Sequence, residues 1–129
     1  MIRARLIIEA QGKPQKNVED SLKNVVKQIE KVDSIEVFDI KSEPVILDRK
    51  IDLYSGLVDI GIETEKFESL FFVVLRFGPT AIIVLEPEKI EVEIGELQTT
   101  LNDMANILHA LSVEAMVSKM ELEAKKSSN

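Results

Sequence analysis

The C-terminal stretch constrains this chain more than any other part. From Leu97 the apolar residues fall at Leu97, Leu101, Met104, Leu108, Leu111 and Ala115, alternately four and three apart. That is the period of about 3.5 residues that carries a helix seam along another helix. Beyond Ser112 a second apolar set follows, Val113, Met116, Val117 and Met120. At about 100° per residue it lies nearly opposite the first. One core cannot satisfy both sides. The spacing therefore predicts a long helix over about 96–123, lying between its own domain and a second subunit. Leu101, Met104, Leu108, Leu111, Met116 and Met120 form the expected association surface, and two antiparallel copies across a two-fold axis would bury both stripes. The expected partner is a second copy, as a homodimer or a larger homo-oligomer. Residues 125–129 are expected to form a disordered tail.

Upstream, Ile2, Ala4, Leu6, Ile8 and Ala10 alternate with Arg3, Arg5, Ile7 and Glu9, the pattern of a half-buried strand. Pro14 suits the first turn of a helix whose buried face is Val18, Leu22, Val25, Val26, Ile29 and Val32. Ile35 to Ile40 reads as a strand, interrupted by Pro44 before Val45-Ile46-Leu47. Leu53 to Glu63 reads as another, with Val58, Ile60 and Ile62 facing inward. Thr64 is a plausible cap for a short helix on Phe67, Leu70, Phe71, Val74 and Leu75, closed by Gly78-Pro79. The continuous apolar run Thr80 to Leu85 predicts a central strand covered on both faces. Lys89 to Ile94 alternates strictly and predicts a final, solvated strand.

The order β-α-β-β-α-β-β-α places the chain in the α+β class. The expected architecture is a ferredoxin-like split βαβ antiparallel sheet with an extra strand and a long C-terminal helix. With 129 residues and no linker of biased composition, one domain over 1–124 is expected.

Composition narrows the function classes. The net charge of −7 opposes a broad phosphate-binding surface, because nucleic-acid affinity comes chiefly from Lys and Arg. Base-stacking modules on such sheets use aromatic residues on central strands, and neither Ile2–Ala10 nor Thr80–Leu85 has one. Phe38 and Tyr54 do not make the pair. A nucleic-acid partner is therefore not expected. The absence of Cys removes disulfides, thiolate nucleophiles and Cys-based zinc sites. No stretch has the length or character of a signal peptide or a membrane span, so a cytoplasmic protein without membrane association is expected. Abundant Lys and Glu, one His and no Cys also fit a thermophilic source.

The sequence carries few marks of catalytic or metal chemistry. His109 is the lone imidazole and has no local partner for a metal triad or a catalytic pair. Glu86, Glu88, Glu91, Glu93 and Glu96 crowd one stretch with a single Lys89 among them, and oxygen clusters can hold Mg²⁺ or Ca²⁺ or do acid–base work, with Glu86, Glu88, Glu91 and Glu93 as the candidates. No DxDxDG loop or HExxH motif accompanies them. A charged face that protects an edge strand explains the same residues. Gly12-Lys13 lacks the P-loop frame, and Ser55-Gly56 is not a nucleophile elbow. Asp48, Asp52 and Asp59 are scattered and would need the fold to bring them together. No catalytic residues, no metal site and no cofactor are expected.

Phe77-Gly78-Pro79-Thr80, Leu85-Glu86-Pro87, Gly95-Glu96-Leu97-Gln98 and Leu101-Asn102-Asp103 resemble a small family of uncharacterised archaeal proteins. The resemblance covers the C-terminal third. It implies an archaeal cytoplasmic origin and no established activity, and it carries no functional residues onto this chain. The expected function is a non-enzymatic, self-associating domain that binds another macromolecule or a small regulator. The alternative is a divalent-metal-dependent enzyme built on the acidic cluster at 86–96.

Overall fold

A computed structural model describes residues 1–127. The chain divides into two compact units, Met1–Glu91 and Val92–Asn129. The first unit is a sheet with two helices; the second carries one long helix.

The strands of the first unit are β1 (Ile2–Gly12), β2 (Glu36–Ser42), β3 (Ile46–Asp48), β4 (Leu53–Thr64) and β5 (Ala81–Glu86). Its helices are α1 (Gln15–Glu30) and α2 (Phe67–Phe77). All strand pairs are antiparallel, in the order β2-β4-β1-β5, with β3 also on β4 beyond the end of β2. This is the ferredoxin-like plan. The fifth strand, however, is β3 and not Lys89–Ile94. A strand needs a partner edge for its backbone groups, and alternation alone does not supply one. Residues 87–93 are irregular, and Ile94 opens the helix of the second unit.

The β1–β4 ladder pairs Ile2 with Thr64 and continues without a break to Gly12 with Tyr54. Because side chains alternate across a strand, this register puts the even-numbered apolar residues of both strands on one face. Ala4, Leu6, Ile8, Val58, Ile60 and Ile62 are all buried there. Helix α1 lays Val18, Leu22 and Ile29 onto that face, and α2 adds Phe67 and Val73. Gly56 leaves room for this packing: a Cβ there would lie 2.8 Å from Val45 Cγ2 and 3.0 Å from Leu22 Cδ1.

The helix ends follow local chemistry. Pro14 stands at the N-cap of α1. Lys66, not Thr64, is the N-cap of α2, although the Thr64 hydroxyl still accepts a bond of 3.1 Å from the Lys66 N–H. Gly78 closes α2 in the left-handed conformation, φ 55°, and its N–H bonds Val74 O.

Strand β5 departs from expectation. It is not a covered central strand but the outer edge beside β1, and all six of its residues are exposed. A continuous apolar run records that both faces avoid water; it does not record whether this chain covers them.

In the second unit, helix α3 runs Ile94–Ser127, longer than the expected 96–123. It takes in part of the expected tail at 125–129; Ser128 and Asn129 lie outside the described residues.

Ile60→Ala, at a position with no exposed surface, is expected to lower the unfolding free energy by about 2–5 kcal/mol in urea denaturation.

Candidate functional site

Three surfaces of the described residues carry unusual chemistry. The first is the sheet face opposite the helices. The odd-numbered residues of β1 meet those of β4 here, so Arg3 stands opposite Glu63 and Arg5 opposite Gly61. A bulge between Val37 and Asp39 in β2 brings both Phe38 and Asp39 onto this face. Arg5 donates from Nε to Asp59 Oδ1 at 2.7 Å and from Nη2 to Asp39 Oδ2 at 2.9 Å. Its side chain is only 15% exposed, so these charge-assisted bonds are partly shielded from water. The hydrogen bond to Asp59 is the main cause that raises the Arg5 pKa above its ordinary value; burial opposes it, and the bond to Asp39 and both aspartate charges add to the rise. A guanidinium whose pKa is raised above an already high ordinary value stays charged through the neutral range, so arginine supplies no switch near neutrality.

Arg3 completes the cluster. Its guanidinium carbon lies 4.2 Å from the centroid of the Phe38 ring, and that of Arg5 lies 5.9 Å away. Arg3 Nη1 donates to Glu86 Oε1 at 3.3 Å, and Nε lies 3.4 Å from Glu63 Oε2 without hydrogen-bond geometry. Gly61 lets Phe38 lie against the sheet, since a Cβ there would stand 2.7 Å from the ring. Both arginines are thus engaged by carboxylates. The cluster ties β2, β4, β1 and β5 together and leaves no free cation for an incoming anion.

The second surface is a groove of about 450 Å³ between α2 and β5 on the helix side. Phe67, Phe71, Val74, Ile82, Val84 and Ile90 line most of it. Phe67 and Phe71 meet edge to face at 5.7 Å. On β5 itself, Ile82, Ile83, Val84 and Leu85 are 39–55% exposed.

The third surface is α3. Leu101, Leu108 and Leu111 are about half exposed, and Met116 and Met120 are 64% exposed. Met104 is partly buried. Apolar side chains therefore stand open on both stripes of the helix.

The acidic candidates do not converge. Glu86 is held by Arg3, Glu88 lies at the rim of the apolar groove, and Glu91 and Glu93 belong to the irregular segment after β5. Asp48 accepts the Lys50 N–H, Asp52 pairs with Lys13 at 2.6 Å, and Asp59 pairs with Arg5, so these three serve separate local contacts. Among the described residues, no group of three or more His, Asp or Glu is placed to hold a metal ion. His109 is exposed on α3.

Against this geometry, the pattern of the whole chain matches one family model over residues 3–126. The chain belongs to the MJ0538 family. The match extends over nearly the whole length, not the C-terminal third alone, and so takes in the residues of both the sheet and the long helix. The MJ0538 family is uncharacterised. No curated protein and no solved structure matches the chain. No helix is long and apolar enough to cross a membrane.

The Arg3–Arg5–Phe38 cluster escaped the linear reading, although one signal pointed to it. Once β1 and β4 are paired, Arg3 and Arg5 share a face with Asp59 and Glu63. The bulge that adds Phe38 and Asp39 has no comparable sequence mark.

Arg5→Met should cost about 2 kcal/mol of stability in urea denaturation, as two charge-assisted bonds are lost and two aspartates stay close together. Gly61→Ala should cost about 1–3 kcal/mol through displacement of the Phe38 ring, and Phe38→Ala should relieve most of that cost in a double-mutant cycle.

Proposed function

We propose that this chain is a non-catalytic, self-associating module spanning residues 1–124, which forms a homodimer or larger homo-oligomer through α3 and in that state binds a macromolecule or a small regulator. One observation carries the reading. Leu101, Leu108, Leu111, Met116 and Met120 present open apolar surface on two sides of a single helix. Surface of this extent is unfavourable in water at about 25 cal/mol per Å², and apolar surface exposed in contiguous patches marks a docking site. A second copy of the same helix supplies the complementary seam, because a repeat of four and three is complementary to itself in the antiparallel sense. Methionine at the C-terminal end suits such a seam, since its unbranched side chain adapts to irregular neighbours.

A catalytic reading has less support. The carboxylates are paired or dispersed, and the apolar groove offers one rim carboxylate, Glu88, to a substrate.

The test is the mass in solution of the full chain and of the double variant Leu108→Glu, Leu111→Glu. The full chain should scatter light as a dimer or larger and the variant as a smaller species with unchanged helical circular dichroism. An unchanged mass on substitution would remove α3 from the interface, and a monomeric full chain would end the self-association reading.

A further inference from the structure

The two edges of the sheet are built differently. The β2 edge carries Glu36, Asp39 and Lys41 and a bulge in mid-strand. Charges and bulges on an edge are the usual means of preventing another strand from adding to it. The β5 edge has neither over its regular part. Ala81–Val84 pair with β1 in unbroken register, the irregularity falls only at Leu85, and the single charge, Glu86, stands at the end of the strand, where it pairs with Arg3. Its outer backbone groups have no strand partner among the described residues. Another strand is the element that satisfies such a row of donors and acceptors while covering the side chains on both faces.

We propose that β5 pairs antiparallel with β5 of a second copy, with Ile83 opposite Ile83 on a two-fold axis perpendicular to the sheet. The register follows from the sequence of the strand. With Ile83 on the axis, Ile82 faces Val84, Ala81 faces Leu85, and every pair within the strand is apolar. Glu86 is left outside, opposite Thr80. A shift of the axis to Val84 would set Glu86 against Ile82. A shift to Ile82 would draw in Thr80, whose N–H and hydroxyl are both committed to Ile7 O. Such an axis keeps the helix faces of the two sheets on the same side. The α2–β5 groove of each copy then borders the seam, and the two merge into one apolar layer over Ile82 and Val84, walled by Phe71 and Ile90 from both copies. The strand and the merged groove together provide cover that a short strand alone would not, since a standard interface buries about 800 Å² per partner.

The contact deepens the self-association reading but does not depend on α3, and the absence of cysteine makes it directly testable. Residues facing each other in an antiparallel pair have Cα atoms about 4.5–5.5 Å apart, within the span a disulfide closes. Single cysteines are placed at 81, 82, 83, 84 and 85 of the full chain and oxidised mildly, with Ile40→Cys on the β2 edge as a control for random collision. The Ile83→Cys protein should give the largest yield of covalent dimer. Ile82→Cys and Val84→Cys should each give little alone and a high yield when the two proteins are mixed. The same maximum should persist in the Leu108→Glu, Leu111→Glu background. Equal yields along the strand, or yields no higher than the Ile40→Cys control, would overturn the strand pairing. If the full chain is then still a dimer that the α3 variant dissociates, the helix reading stands and this one alone fails.

Discussion

The β1–β4 ladder is the constraint on which the rest of the first unit depends. Its register decides at one stroke which side chains are buried and which meet water. A slip of β1 by one residue against β4 would carry Leu6 and Ile8 to the solvent face and draw Arg5 into the apolar layer, while Ile60 and Ile62 stayed inside. Both outcomes are costly, the first through lost burial and the second through charges taken out of water. The apolar layer under α1 and α2 and the ion pairs of the opposite face therefore specify the same alignment independently.

That opposite face also shows how an acidic chain uses its few well-placed cations. With a net charge of −7, carboxylates outnumber their partners, yet Arg3 and Arg5 lie on an inner strand, where Arg3 meets acids of β4 and β5 and Arg5 meets acids of β4 and β2. The partial burial of Arg5 strengthens its bonds to Asp39 and Asp59, and Phe38 shields both guanidinium groups. The bulge that delivers Phe38 and Asp39 also disrupts the β2 edge. One local irregularity thus serves the charge cluster and protects that side of the sheet from strand addition.

The opposite edge and the second unit carry the open apolar surface. Strand β5 and helix α3 hold many of the exposed large apolar side chains, Ile82, Ile83, Val84 and Leu85 on the strand and Leu101, Leu108, Leu111, Met116 and Met120 on the helix. The family match over 3–126 includes both elements.

Periodicity alone determined most of the architecture. The alternation of Ile2–Ala10 and Leu53–Glu63, the helical spacing of Val18–Ile29, the Gly78-Pro79 stop and the long C-terminal helix were legible because each is a local pattern with a local physical cause. The length and apolar spacing of α3 were legible for the same reason, and Leu101, Leu108, Leu111, Met116 and Met120 are exposed on it. What the tertiary structure alone decided is which element neighbours which. The run Thr80–Leu85 reads the same whether its cover comes from its own chain or from outside it, and only the sheet order makes it an edge. Lys89–Ile94 alternates like a strand but pairs with no strand among the described residues. Arg3, Arg5, Phe38, Asp39 and Asp59 become one cluster because pairing across β1, β2 and β4 brings together residues far apart in the chain. Side-chain spacing is a property of the local chain, whereas a backbone hydrogen bond between strands and a charge pair across a sheet exist only once distant segments have met.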